Sequence, residues 1–235
     1  MFIENEILTK FSNLISENKC NTFEGELRTG VDLGTANIVI SVMDSNNTPV
    51  AGATYPSTVV KDGIVVDFVG AINILKKLKS KVEGIIGKEL LIAATAVPPG
   101  IIDGNVKCIA NVVEAAGFEV INVVDEPTGG IHMTLVLAGY YGISIEEAEE
   151  LKKDTKKDKE IFPVIRPVVQ KMASIVKKYL KDYDVPAIYV VGGACSFEEF
   201  NDVFEKEIGI KTIKSNEPLL VTPLGIAMNC NRWKF

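Results

Sequence analysis

The chain has 235 residues, 47% of them hydrophobic, with a formal net charge of −6; it can bury one large core or two smaller ones. The acidic balance excludes nucleic acid or an anionic membrane as the default partner, and no apolar run approaches the ~18–20 residues of a membrane span. The first residues, MFIENEILTK, lack a basic stretch followed by an apolar one. Cys20, Cys108, Cys195 and Cys230 are scattered without CxxC or zinc-type spacing, so a reduced, cytoplasmic protein is expected.

Residues 2–18 carry Ile3, Ile7, Leu8, Phe11, Leu14 and Ile15 at the spacing of an amphipathic helix, followed by a polar linker over 18–25. Such a helix either covers its own core, the commoner use, or docks a partner. Residues 30–41, GVDLGTANIVIS, read as a strand entering a glycine turn. Val31, Leu33, Ile38, Val39 and Ile40 favour strands, and Gly34-Thr35-Ala36-Asn37 breaks them. A glycine backbone lets N–H groups approach a phosphate closely, and Asp32 at the strand's end suits a hydrated cation such as Mg²⁺. An ordinary β-hairpin with an Asp cap fits the same residues.

The strand over 28–44 ends in the turn Ser45-Asn46-Asn47-Thr48-Pro49. A second strand over 50–60 returns, and Lys61-Asp62-Gly63 turns into a third over 64–68. A helix over 69–82 sets Ile72, Leu75, Leu78 and Val82 on one face. Residues 90–97 are almost continuously apolar, as in a strand buried on both faces, and they stop at Pro98-Pro99-Gly100. A helix over 104–116, with Gly117 at a left-handed cap, and a strand over 120–124 complete the order β-β-β-α-β-α-β. That is an α/β layer opening on an antiparallel meander.

After Asp125-Glu126-Pro127-Thr128-Gly129-Gly130, a short helix over 131–139 is expected to pack Met133, Leu135, Val136 and Leu137. Ser144 and Glu147 form a capping box for a charged helix; the run 152–160, KKDTKKDKE, reads as a solvated face or loop. A helix over 161–180 sets Ile165, Val168, Val169, Met172, Val176 and Tyr179 on one side, with Pro163 and Pro167 near its first turn or at a kink. A buried strand over 187–191 leads into Gly192-Gly193-Ala194-Cys195-Ser196. A helix over 197–208 stopped by Gly209, a strand over 211–213 and a terminal helix over 222–229 complete the chain. This closing β-α-β-α echoes the end of the first half and points to two lobes of related topology. Each lobe then has a glycine turn after a buried strand, the first suited to phosphates and the second to an adenine ring, and the cleft between related lobes is a natural nucleotide site.

These segments resemble, in order, those of the actin/DnaK-type ATPase superfamily and most closely the ethanolamine-utilization protein EutJ family. GVDLGTANIVIS is similar to the first phosphate loop. DFVGAINILKKLK, AATAVPPG and VVEAAGFEVINVVDEPT resemble the EutJ segments that follow and the first connecting segment. GGIHMTLVLAGYYGISIEEAEELKK resembles the second-lobe stretch beside the nucleotide, IYVVGGACSFEEFNDVF the adenosine motif, and VTPLGIAMNC the closing helix. The resemblance implies a two-lobed actin-like ATPase (ribonuclease H-like) α/β fold. It places an N-terminal helix and linker over 1–25, a first lobe over 26–128, and a second lobe with the closing helix over 129–230. ATP and Mg²⁺ are the implied cofactors.

One departure is large. Family members carry a second phosphate loop of the type DxGGGT between two similar DE-P/A-T segments, whereas here INVVDEPT runs straight into GGIHMTLVLAG. The join looks like an internal deletion, so the second lobe is expected to be truncated. It would lack its meander and leave the strand over 187–191 with an unpaired edge that invites self-association. Phosphate binding would be weakened by the loss of the second loop.

Carried over residue by residue, the resemblance assigns Asp32, Gly34, Thr35, Ala36 and Asn37 to the phosphates, with Asp32 near Mg²⁺ through water. Gly192, Gly193, Ala194 and Ser196 go to adenosine, and Glu149 and Lys152 to second-lobe nucleotide contacts. Glu126 matches a residue used in hydrolysis and Pro98 one used in interlobe switching; a salt-bridged loop acid and a plain strand terminator fit them equally well. His132, the only histidine, reads as a surface or packed residue. Three functions follow. The first is an ATP-binding chaperone or assembly factor of ethanolamine utilization, with weak or no hydrolysis, associated with a bacterial microcompartment and partnered by ethanolamine-utilization enzymes or microcompartment proteins. The second is a non-catalytic scaffold resembling the pilus-assembly PilM proteins. The third is a small-molecule kinase, for which no Asp general base stands out.

Overall fold

A computed structural model describes residues 2–3, 6–61, 64–97, 102–125, 130–181 and 183–231. In chain order the elements are β1 (Phe2–Ile3), α1 (Glu6–Glu17), β2 (Arg28–Leu33), β3 (Asn37–Met43), β4 (Pro49–Pro56), β5 (Val60–Lys61), β6 (Ile64–Val65), α2 (Phe68–Ile86), β7 (Ile92–Val97), α3 (Asp103–Ala115) and β8 (Glu119–Asp125). They continue with α4 (Gly130–Tyr141), α5 (Ile145–Lys153), α6 (Asp158–Tyr179), β9 (Ile188–Val190), α7 (Phe200–Ile208), β10 (Thr212–Ser215) and α8 (Val221–Met228). Short 3₁₀ turns occupy Thr155–Lys157 and Gly193–Ser196. Two compact units result, a larger one of Asn5–Pro127 with Leu220–Phe235 and a smaller one of Met1–Glu4 with Thr128–Leu219.

The larger unit is built on a five-stranded sheet of order β4-β3-β2-β7-β8. The first three strands form an antiparallel meander, and β7 and β8 run parallel to β2. Alternation along each strand separates two faces. Val31, Leu33, Ile38, Ile40, Val42, Ala51 and Ala53 pack with Leu75, Leu78 and Val82 of α2 and Ile109, Val112 and Val113 of α3. The opposite face meets α1 and α8: Met43 joins Leu8, Phe11, Leu224 and Ala227, while Ala94 and Ala96 join Ile226.

That second face carries a band of small residues across four strands, because Gly52 pairs with Ser41, Ser41 with Gly30, and Gly30 with Ala94. The band brings the helices close to the sheet. A Cβ on Gly30 would lie 2.5 Å from the Ala227 nitrogen, and one on Gly52 would lie 2.5 Å from the Phe11 ring. The Ser41 hydroxyl donates to the Pro223 carbonyl at 2.6 Å.

The smaller unit holds a three-stranded, fully parallel sheet of order β1-β10-β9. Its core gathers Met133 and Leu137 of α4, Ile161, Phe162, Ile165, Val169 and Ala173 of α6, and Phe200, Phe204 and Ile208 of α7. Between Gly130 and Leu219 the described strands are β9 and β10 alone, so the described residues of the smaller unit hold no antiparallel meander. The outer edge of β9 has no strand partner among the described residues, and Tyr189 on it is 66% exposed.

Several sequence expectations are corrected. Residues 2–18 are not one helix: Phe2–Ile3 pairs in parallel with Lys214 and Ser215, a long-range pairing that local periodicity does not encode. The third strand of the meander is β4, not the stretch over 64–68. Asp32 and Val39 face each other across the glycine turn, and β5–β6 forms a separate two-stranded ribbon. Helix α2 extends four residues past 82 because Gly87, at φ 72°, supplies its left-handed cap, and the Asp67 carboxylate accepts the Gly70 N–H at its start. Leu135, Val136 and Tyr179 are exposed, whereas Thr134, Ile161 and Phe162 are buried. The run over 152–160 is mostly helical, closing α5 and opening α6.

The linker is tied to β4, with Asn21 donating to the Val50 carbonyl at 2.9 Å through its backbone and to Pro49 at 2.7 Å through its side chain. The closing helix α8 belongs with the first half.

Candidate functional site

The hairpin that carries the glycine motif lies at the end of β2 and the start of β3. Leu33 pairs with Ile38 and Asp32 with Val39, so Gly34, Thr35 and Ala36 form the turn. The turn excludes a side chain at its first position: a Cβ on Gly34 would lie 2.8 Å from the Asn37 carbonyl oxygen and 3.6 Å from the Asp32 carboxylate. Ser57, just past β4, donates its backbone N–H to the Ala36 carbonyl at 2.9 Å and pins the turn from the side. Beneath it, the Thr95 hydroxyl of β7 donates to the Val31 carbonyl at 2.9 Å. Asp32, Gly34, Thr35, Ala36 and Asn37 are all partly exposed, on a backbone that rigid strands hold in place. Among the described residues no cluster of three or more His, Cys, Asp or Glu could hold a metal ion. Any cation at Asp32 would therefore draw most of its ligands from water and from the phosphates it accompanies.

In the smaller unit Glu149 and Lys152, expected as nucleotide contacts, bond to each other and to a third residue. Lys152 Nζ donates to Glu149 Oε2 at 2.5 Å, to Thr134 Oγ1 at 2.7 Å and to the Gly130 carbonyl at 3.2 Å. Thr134 in turn donates to Glu149 Oε2 at 2.6 Å. An ammonium has three donors, so all of those on Lys152 are committed within the protein. The capping box of Ser144 and Glu147 fixes the start of α5 and with it the phase of this pair. Sequence spacing alone missed Thr134, which lies on another helix.

Burial works against the Glu149 carboxylate. The hydrogen bonds from Lys152 and Thr134, with the charges of Lys152 and Lys153, outweigh it and hold the carboxyl below its ordinary 4.5. A carboxyl lowered in the folded state stabilises fully above its unfolded value and loses that contribution as pH falls through the folded one. Glu149→Gln is thus expected to be less stable than the parent at neutral pH, with the gap closing below pH 4.5. Urea unfolding at a series of pH values measures it, and a deficit unchanged in acid would refute the ion pair.

The second glycine turn follows β9. Gly192 takes φ 86° and ψ 173° with open space where a Cβ would stand, a conformation reserved for glycine that leaves bare backbone accessible. Its N–H donates to the Pro218 carbonyl at 2.8 Å. Gly193 and Ser196 are exposed and Ala194 half-buried, and α4 packs against the turn. Burial pushes the Cys195 thiol up to about 11, so the sulfur stays protonated and serves the core. Lys214 is 8% exposed and donates to the Ser196 carbonyl at 3.0 Å, which holds the far end of the turn. Glu126 and Pro98 lie outside the described residues, and His132 is exposed.

The mixed sheet with its leading meander, the glycine hairpin and the second glycine turn define an actin-like ATPase fold. Solved structures share it. The chain superposes on the PilM–PilN type IV pilus biogenesis complex with a TM-score of 0.63 at 11% identity, covering 86% of this chain and 98% of that one. For MreB5 of Spiroplasma citri bound to AMPPNP the TM-score is 0.58 at 16% identity, covering 88% and 96%. A structure of the ethanolamine utilization protein EutJ from Carboxydothermus hydrogenoformans reaches a TM-score of 0.76 at 41% identity, covering 95% of this chain and 97% of that one. No protein-family profile matches the chain. The curated ethanolamine utilization protein EutJ of Escherichia coli is 33% identical over 244 residues, covering 87% of this chain and 86% of the relative.

The chain belongs to the ethanolamine utilization protein EutJ family. Because 87% of 235 residues is about 204, some forty of the 244 aligned positions have no residue here.

Proposed function

We propose that the chain is an ATP-binding chaperone or assembly factor of ethanolamine utilization, acting on the enzymes or shell proteins of that pathway, with weak or no hydrolysis. The carrying observation is the hairpin at Gly34, whose backbone leaves no room for a Cβ and whose turn directly follows Asp32 at the end of β2. Such a cradle fits a phosphate. Thr35, Ala36 and Asn37 bind the phosphates, and Asp32 orients the water shell of Mg²⁺. Gly192, Gly193, Ala194 and Ser196 receive the adenosine. Glu149 and Lys152 contribute only if the nucleotide replaces one of their mutual contacts. Bound Mg²⁺ would neutralise phosphate charge. The protein works in the cytoplasm or at a microcompartment.

Calorimetry with ATP and Mg²⁺ tests the reading. Asp32→Ala is expected to bind about tenfold more weakly than the parent or worse; equal heats would remove Asp32 from the site.

A second reading, a non-catalytic scaffold, is favoured by the parallel sheet of the smaller unit, which has no second antiparallel hairpin among its described strands. Steady-state ATP turnover clearly above a blank would count against it.

A further inference from the structure

We propose that the Ser57 hydroxyl is a phosphate-binding group of the Gly34–Asn37 hairpin, an inference that rests on the nucleotide reading above. Ser57 follows β4 where Pro56 pairs with Asn37, and its backbone N–H is fixed to the Ala36 carbonyl at 2.9 Å. The residue thus stands against the turn that cradles the phosphates. It is 5% exposed, and its Oγ has no hydrogen-bond partner among the described residues. Only one other buried side-chain oxygen or nitrogen shares that condition among those residues, Asn201 Oδ1, which lies in the other unit.

Buried hydroxyls find partners as a rule, because a desolvated donor left unmatched is costly. The neighbouring ones obey it: Ser41 donates to the Pro223 carbonyl and Thr95 to the Val31 carbonyl. On a residue whose backbone is fixed to the turn, such an orphan hydroxyl is a donor open to an acceptor there. A phosphate oxygen supplies one, and a hydroxyl-to-anion bond in a dry setting is among the stronger kinds. Threonine in the glycine turn is marked by its motif; a serine after a strand-ending proline carries no such signal.

The test is calorimetric titration of the full chain with ADP, with Mg²⁺ and again in EDTA, for the parent, Ser57→Ala and Asp32→Ala. Each protein is also melted without ligand. Ser57→Ala is expected to bind ADP about tenfold more weakly in both conditions, with a ligand-free melting temperature equal to or above the parent's, since the variant removes an unmatched group. Equal affinity overturns the Ser57 role while leaving the nucleotide reading intact. A loss seen only with Mg²⁺ overturns direct contact with phosphate. A lower ligand-free melting temperature shows the hydroxyl satisfied without ligand and also overturns it. A parent chain that binds neither ADP nor ATP overturns the nucleotide reading and the Ser57 role together.

Discussion

Phe11→Ala is expected to destabilise the chain by about 3–5 kcal/mol, the range for removing a fully buried aromatic ring. The ring is 0% exposed and sits in a cluster with Leu8, Met43, Leu224 and Ala227. Gly52 opens the sheet surface beneath it, so the ring lies against strand backbone. Urea unfolding followed by circular dichroism measures the loss. The result also decides what α1 is for. A helix held in reserve for a partner would leave stability nearly unchanged when its central phenylalanine is cut back, and a loss below about 1 kcal/mol would support that use.

Gly30→Ala adds a single methyl group and is expected to cost about 3 kcal/mol, the upper end for overpacking. The new Cβ would lie 2.5 Å from the Ala227 nitrogen and 2.7 Å from both the Pro223 carbonyl oxygen and Ser41 Oγ. The two closest are backbone atoms of α8, which cannot rotate away, so the helix must lift from the sheet or β2 must bend. The hydrogen bond from Ser41 to Pro223 would stretch in either case. Gly84→Ala is the control: nothing lies within 4 Å of its Cβ, and helix propensity alone predicts a gain of about 0.5–1 kcal/mol. Thermal or urea unfolding of both variants compares them. A Gly30→Ala protein as stable as the parent would show that α8 does not rest on the sheet at Gly30.

The glycine motif illustrates how far local reading reaches. The GVDLGTANIVIS stretch announced a hairpin, an acid and a tight turn, and β2, β3 and the Gly34 contact agree with that reading. Its first glycine was invisible as a packing residue. Gly30 lies mid-strand, and its need for a bare backbone arises from a helix almost two hundred positions later in the chain. Glu149 and Lys152 were singled out only through the resemblance; their mutual bond follows because residues three apart on a helix share a face, whereas Thr134 is on a different helix and no spacing rule joins it to them. Ser57 was missed too, because no local pattern marks a buried hydroxyl with no partner among the described residues.

What the amino-acid sequence determined by itself was most of the helices, the capping box at Ser144, the stop at Gly209 and the acid-bearing glycine turn, all of which depend on residues within a few positions of one another. Only the tertiary structure decided that Phe2–Ile3 closes one edge of the smaller sheet. It alone decided that α8 returns to the first-half unit, over the band of Gly52, Ser41, Gly30 and Ala94. These outcomes rest on which distant surfaces fit without a side chain between them, and that fit is written in no local pattern.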